Sequence, residues 1–306
     1  MAVLNFRRKE TQRPVTGGFA PLLAGHSIEV MPRTAEKIGD FRDHLAAGTR
    51  VYIAHIEGTP IDDMVATAAR IASQGFDVMP HFPARIIKDA ATLHDWIARY
   101  QGEAGVDQAL LLAGGVATPH GAFENSMQLL EDGAFDRAGF ARLHVAGHPE
   151  GNRDIDADGS DRAVMEALRW KAAFAERTDA KMALATQFCF EAEPAVAWAD
   201  RLQAEGLGLP IHLGLAGPAK LQTLIKFAIA CGVGPSLRVL QRRAMDVTKL
   251  LLPYTPDEML GDLAQLQAQG RGALIEQLHI FPLGGITTAA TWANEQGHAK
   301  AAHHSD

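Results

Sequence analysis

TRVYIAHI (49–56), TPIDDMVATAARIASQG (59–75) and FDVMPHFPA (76–84) read as strand, helix and strand. The outer runs are short, apolar and rich in Val, Ile and Phe, which suits buried strands. The middle run carries helix punctuation: Thr59 as N-cap, Pro60 at the first helical position, Asp62 and Asp63 in the first turn, and Gly75 as the stop. A strand that leads through one helix to another strand is the unit of a parallel sheet.

The same grammar extends in both directions. Candidate strands fall at 26–32, 49–56, 76–84, 108–115, 141–149, 181–190, 209–217 and 277–285. Ser160 can cap a helix running to about residue 178, and Leu221, Leu224, Ile225, Ala228 and Ile229 mark another that stops near Gly232. Thr255-Pro256-Asp257-Glu258 opens a helix with Met259, Leu260, Leu263 and Leu266 on one face, closed by Gly270. Eight alternating units predict a single-domain α/β fold, a closed (β/α)8 TIM barrel, with extra helices in the long interval between strands 7 and 8. No G-x-G-x-x-G follows the first strand, against a Rossmann domain. Residues 1–25 read as an N-terminal extension, 26–295 as the barrel, and 296–306 as a flexible tail.

Composition narrows the function. The 306 residues are 47% hydrophobic and 21% charged, enough apolar material for a large core. A net charge of −7 gives no broad positive field for nucleic acid or an anionic membrane, which leaves a small-molecule partner. Cys189 and Cys231 are too few for a disulfide framework or a cysteine zinc site. With no apolar leader and no apolar stretch of spanning length, a cytoplasmic protein is expected, with homo-oligomerisation left open.

Barrel enzymes place their chemistry at the C-terminal ends of the strands. Glu29 lies inside the first strand, where a carboxylate must be solvated, paired or functional. His55 and Glu57 end the second strand, His81 the third, His148 and Glu150 the fifth, and Gln187 and Cys189 the sixth. Period-two geometry puts Gln187 and Cys189 on one face and Phe188 and Phe190 on the other. A lone strand histidine such as His55 also suits plain packing, and Cys189, without a basic neighbour, reads as core. His144, His212 and His279 fall early in their expected strands, leaving only His55, His81 and His148 to converge at the catalytic end. The loop from Asp154 to Gly159 imitates a calcium site, but Met165 stands where a bidentate glutamate is required. With no His-x-His or His-Glu-x-x-His, no metal is assigned.

Four segments together resemble the methylenetetrahydrofolate reductase family. Ser27-Ile28-Glu29-Val30-Met31-Pro32 resembles its Phe-Glu-Phe-Phe-Pro-Pro segment, and Pro80-His81-Phe82 its Pro-His-Leu-Thr turn. Val145-Ala146-Gly147-His148-Pro149-Glu150-Gly151 resembles its Val-Ala-Gly-Tyr-Pro-Glu-Gly loop, and Thr186-Gln187-Phe188-Cys189-Phe190 its Thr-Gln-Phe-Phe-Phe motif. The order is consistent from about residue 26 to 285. The resemblance implies a (β/α)8 barrel that interconverts methylene- and methyl-tetrahydrofolate by hydride transfer. It implies Glu29 as general acid, holding a proton near neutral pH, and Gln187, with His81 and Phe188, at the folate.

Departures from the family pattern concern the cofactor. Flavin-dependent members end the fourth strand with Arg-Gly-Asp, where this chain has Ala113-Gly114-Gly115. The fifth-strand loop has His148 and Asn152 where the family presents a tyrosine and a histidine, and in the helix after it Ala167 and Trp170 replace the usual Asn and Arg, although Lys171 remains. FAD is therefore doubtful, and His212-Leu213-Gly214-Leu215-Ala216-Gly217 resembles a flavin-independent branch that takes hydride directly from reduced nicotinamide, NADH or NADPH. His55, Gly114, Gly115, His148 and Lys171 are the residues expected to contact that cofactor. Competing expectations are a folate-dependent methyl transferase or demethylase, a non-catalytic folate-binding barrel, and a metal-dependent barrel hydrolase.

Overall fold

A computed structural model describes residues 19–232, 238–241 and 252–298. Eight parallel strands close into a barrel in sequence order: β1 (Ser27–Val30), β2 (Arg50–Ile53), β3 (Asp77–Pro83), β4 (Gln108–Leu112), β5 (Arg142–Gly147), β6 (Lys181–Cys189), β7 (Ile211–Ala216) and β8 (Ile275–Phe281). This is the (β/α)8 barrel expected, and the β7–β8 interval holds helices Leu221–Ala230 and Asp257–Ala268. Most of the expected N-terminal extension and the end of the tail lie outside the described residues. Phe19, Leu22 and Leu23, placed in that extension from sequence, pack on the core. No helix among the described residues is long and apolar enough to cross a membrane.

Two helix starts differ from expectation. Helix Ile61–Ser73 follows Pro60 directly, with no side-chain cap from Thr59, while Gly75 ends it at φ +89°. Ser160 does not cap helix Arg162–Ala175. Asp156 does, its carboxylate accepting from the Ala163 and Val164 N–H groups at 3.0 Å each. The calcium-like loop is thus an anionic cap on a helix N-terminus.

Strand alternation divides the side chains between two cores. Ile28, Val51, Ile53, Phe82, Leu111, Leu143, Val145, Leu213, Leu278 and Ile280 face the helices and bury the main apolar core. The alternate residues fill the barrel, where Tyr52, Met79, Leu110 and Ala185 form a small apolar layer. The rest of the interior is polar: Ser27, His144, His212 and His279 are all buried. Barrel interiors are usually filled by branched aliphatic residues, so this composition calls for a role.

The buried histidines make the fold acid-labile. Burial is the largest cause lowering His212 to about 3 and His148 to about 4, and it lowers His26, His55, His144 and His279 as well. Folded-state values lie below the unfolded value, so the unfolded chain binds protons first and stability is lost as pH falls from about 6.5 towards 4. Each such histidine contributes about 1.4 kcal/mol per pH unit within its window. Glu29, held down to about 2, loses its own contribution only below its unfolded value near 4.5. Urea midpoints are expected to fall steadily between pH 6.5 and 4.5; a flat profile across that range would contradict the neutral, buried state of these rings.

Candidate active site

Glu29 sits near the end of β1, its side chain 19% exposed at the C-terminal mouth of the barrel, with its Oε2 atom 3.3 Å from His81 Nε2 and 3.6 Å from His279 Nε2. Burial alone would raise the Glu29 carboxyl, but the His279 and His81 imidazoles beside it outweigh burial and bring it down to about 2. At neutral pH Glu29 therefore rests as a carboxylate. This corrects the expectation of a glutamate that stores its own proton. Any acid role requires the proton to be delivered.

His279 is the site residue that sequence reasoning missed. Its strand starts at Ile275 instead of 277, and Ser27 pairs in register with His279, which lifts the imidazole beside Glu29. Ser27 Oγ lies 2.9 Å from His279 Nδ1 and fixes the ring. The signal lay in the alternation of Gln277, His279 and Phe281 with the outward Leu278 and Ile280.

The sixth strand reaches the mouth through a bulge. Ala185 pairs with His212 but Phe188 with Gly214, so one extra residue intervenes. Thr186 holds it, its Oγ1 accepting from Gly214 N at 2.8 Å and donating to Gln187 O at 2.9 Å. A Cβ on Gly214 would lie 2.5 Å from Gln187 O, so only glycine lets the strands approach. After the bulge Phe188 joins Phe190, Tyr254 and Phe281 in an aromatic cluster, with Phe188 and Phe281 rings 5.4 Å apart. Phe281 in turn meets the His279 ring at 4.8 Å, which ties this wall to the Glu29 cluster. Cys189 turns instead into the outer core, its thiol donating to Gly214 O, and burial pushes that thiol up. The Gln187 Oε1 atom accepts from Phe188 N at 3.1 Å, leaving the amide NH2 as its donor end.

The residues expected to hold a cofactor do not gather around Glu29. His55 Nε2 lies 3.0 Å from Thr59 O and its ring packs against Trp96. Lys171 is buried and donates to Ala146 O at 2.9 Å, with burial lowering it to about 8. His148 lines an outer groove with Asp161, Trp198 and Arg201. Gly114 adopts φ +95° with Pro83 close against it, and Gly115 faces open space. With His55 Nε2 and the Lys171 ammonium each held at a neighbouring carbonyl and His148 neutral, these side chains form no shared cationic cradle for a phosphate. No group of three or more His, Cys, Asp or Glu side chains among the described residues is arranged to hold a metal ion.

No protein-family model matches the chain. An uncharacterised Clostridium thermocellum protein, described as binding two copies of 5-methyl-5,6,7,8-tetrahydrofolic acid, has a similar structure at TM-score 0.56 and 11% identity, covering 90% of this chain and 97% of its own. A Yersinia pestis DHPS with a pterine-sulfa conjugate is more distant, at TM-score 0.43 and 14% identity over 92% of this chain and 96% of its own. The first similarity establishes a shared (β/α)8 barrel fold.

Proposed function

We propose that this barrel binds a reduced folate and interconverts its methylene and methyl forms, with hydride coming directly from NADH or NADPH. The observation that carries the reading is the Glu29 carboxylate held between His81 and His279 beside the aromatic wall of Phe188 and Phe281. A pterin ring needs a flat apolar surface and a few amide-like partners, and Phe188 with the Gln187 amide supplies both types. The tetrahydrofolate bound by the Clostridium thermocellum barrel supports the same ligand class here.

In this reading a proton passed from Glu29 to the bridging nitrogen distal to the pterin opens the five-membered ring. The methylene carbon remains on the other nitrogen as an iminium ion. Hydride from the nicotinamide then adds to that carbon and gives the methyl group. The Glu29 carboxylate, re-formed next to the cation, stabilises it electrostatically. The residues present do not fit a flavin: Ala113, Gly114 and Gly115 bring no charge, and Trp170 stacks on Phe174 at 5.4 Å instead of offering a polar side chain.

Calorimetric titration with 5-methyl-tetrahydrofolate tests the folate assignment. Saturable binding is expected, and Gln187→Ala is expected to weaken it by about 1–3 kcal/mol through unpaired pterin groups. No binding to the unmodified protein would overturn the folate reading, while equal affinity in the variant would remove Gln187 from it.

A further inference from the structure

The bulge in the sixth strand gives the site a fixed polarity. Gly214 N donates to Thr186 Oγ1 at 2.8 Å, and the same hydroxyl donates to Gln187 O at 2.9 Å, so one side chain pins the bulge from both sides. A Cβ on Gly214 would fall 2.5 Å from Gln187 O and 2.7 Å from Thr186 O, so the bulge backbone already lies against β7. Just beyond it, the Phe188 N–H donates to Gln187 Oε1 at 3.1 Å. Phe188 is 1% exposed, so water does not replace that acceptor. Turning the amide over would set its NH2 group against the Phe188 N–H and leave a buried backbone donor unpaired.

Gln187 keeps partial exposure between the buried Thr186 and Phe188. Late in β6, that exposure opens to the mouth of the barrel. The end of the amide left free is its NH2 group, which donates and cannot accept.

We propose that this locked amide makes the site select pterins that carry an oxygen at C4 over those that carry an amino group there. The inference rests on the folate reading and adds to it the ring edge that Gln187 reads. A reduced pterin offers donors at N3, N8 and the 2-amino group, and ring acceptors at N1 and the C4 oxygen. The C4 oxygen is the one beside N5, the nitrogen that carries the one-carbon group. With the reacting edge held at Glu29, a donor on the adjoining wall meets that oxygen.

A 4-amino pterin would bring a donor against the Gln187 NH2 group and lose the bond. Gln187 does not adapt, because the Phe188 N–H holds its oxygen. The Phe188 and Phe281 rings of the same wall carry no acceptor to take its place, and Glu29 is committed to the bridging nitrogen. Thr186 acts through Gln187 and is a positioning residue.

Calorimetric titration with tetrahydrofolate and tetrahydroaminopterin, which differ only at C4, tests the selectivity without reference to turnover. The unmodified protein is expected to bind tetrahydrofolate about 10- to 100-fold more tightly. Gln187→Glu keeps an oxygen for the Phe188 N–H but makes the free end an acceptor, so the preference should reverse. Gln187→Met, of similar length and without a donor, should bring the two affinities together. Thr186→Val removes the hydroxyl that pins the bulge and should lose most of the preference, while Thr186→Ser should retain it; thermal unfolding checks that each variant is folded.

Equal affinities in the unmodified protein, or an unchanged preference in Gln187→Glu and Gln187→Met, would overturn the selectivity while leaving the folate reading in place. No binding of tetrahydrofolate to the unmodified protein would remove the folate reading, and the selectivity with it.

Discussion

Glu29→Gln is expected to cut kcat for methylene-tetrahydrofolate reduction by roughly 10²–10⁴ while leaving folate affinity within about tenfold. The amide keeps the size of the carboxyl group but can neither carry a proton to the bridging nitrogen nor offset the iminium charge. It also removes the anion that His81 and His279 face at 3.3 and 3.6 Å. Ground-state binding depends chiefly on the aromatic wall and the Gln187 amide, which the substitution leaves in place. Steady-state kinetics with parallel folate titrations check this. Unchanged turnover would make Glu29 a structural carboxylate satisfied by its two histidines.

The second large effect concerns the cofactor. Arg, Asp and Asn would hold a flavin dinucleotide through charge-assisted hydrogen bonds worth about 1.5–3 kcal/mol each. At the positions where the flavin-dependent reductases that the sequence resembles carry them, this chain has Ala113, Gly115, Ala167 and Trp170. Lys171 does not compensate, being bonded to Ala146 O, and neutral His148 brings no charge. Losing several such contacts carries a tightly held dinucleotide to about micromolar binding or weaker. The protein is expected to purify colourless, and both substrates must then occupy the mouth together, giving intersecting double-reciprocal plots. Stoichiometric yellow flavin or parallel plots would restore a flavin shuttle.

Much of this was legible in the sequence because it rests on local rules. Strand–helix punctuation around residues 49–84 sets the repeating unit, and Gly75 and Gly270 end helices at positive φ as their positions demand. Glu29 and His81 were legible as polar residues late in apolar strands, and they meet. His279, Tyr52 and Ser27 were not, because their convergence depends on barrel stagger, which pairs Ser27 with His279 across 252 residues. The Thr186 bulge was hidden for the same reason: its cause is the close approach of Gly214 on the next strand. His55 and Lys171 misled in the opposite sense. A polar side chain at a strand end and a lysine inside a helix read as ligand contacts, whereas His55 Nε2 and Lys171 Nζ each meet a backbone carbonyl nearby.

Direct hydride transfer to a folate is the central claim, and isotope tracing tests it most directly. The protein is incubated anaerobically, without added flavin, with methylene-tetrahydrofolate and NADH or NADPH deuterated at the transferring C4 position, and the methyl group of the product is analysed by mass spectrometry. The account predicts one deuterium per methyl group, retained without exchange and matched mole for mole by oxidised nicotinamide. Methyl-tetrahydrofolate carrying solvent hydrogen at that position, or no methyl-tetrahydrofolate at all, would contradict it.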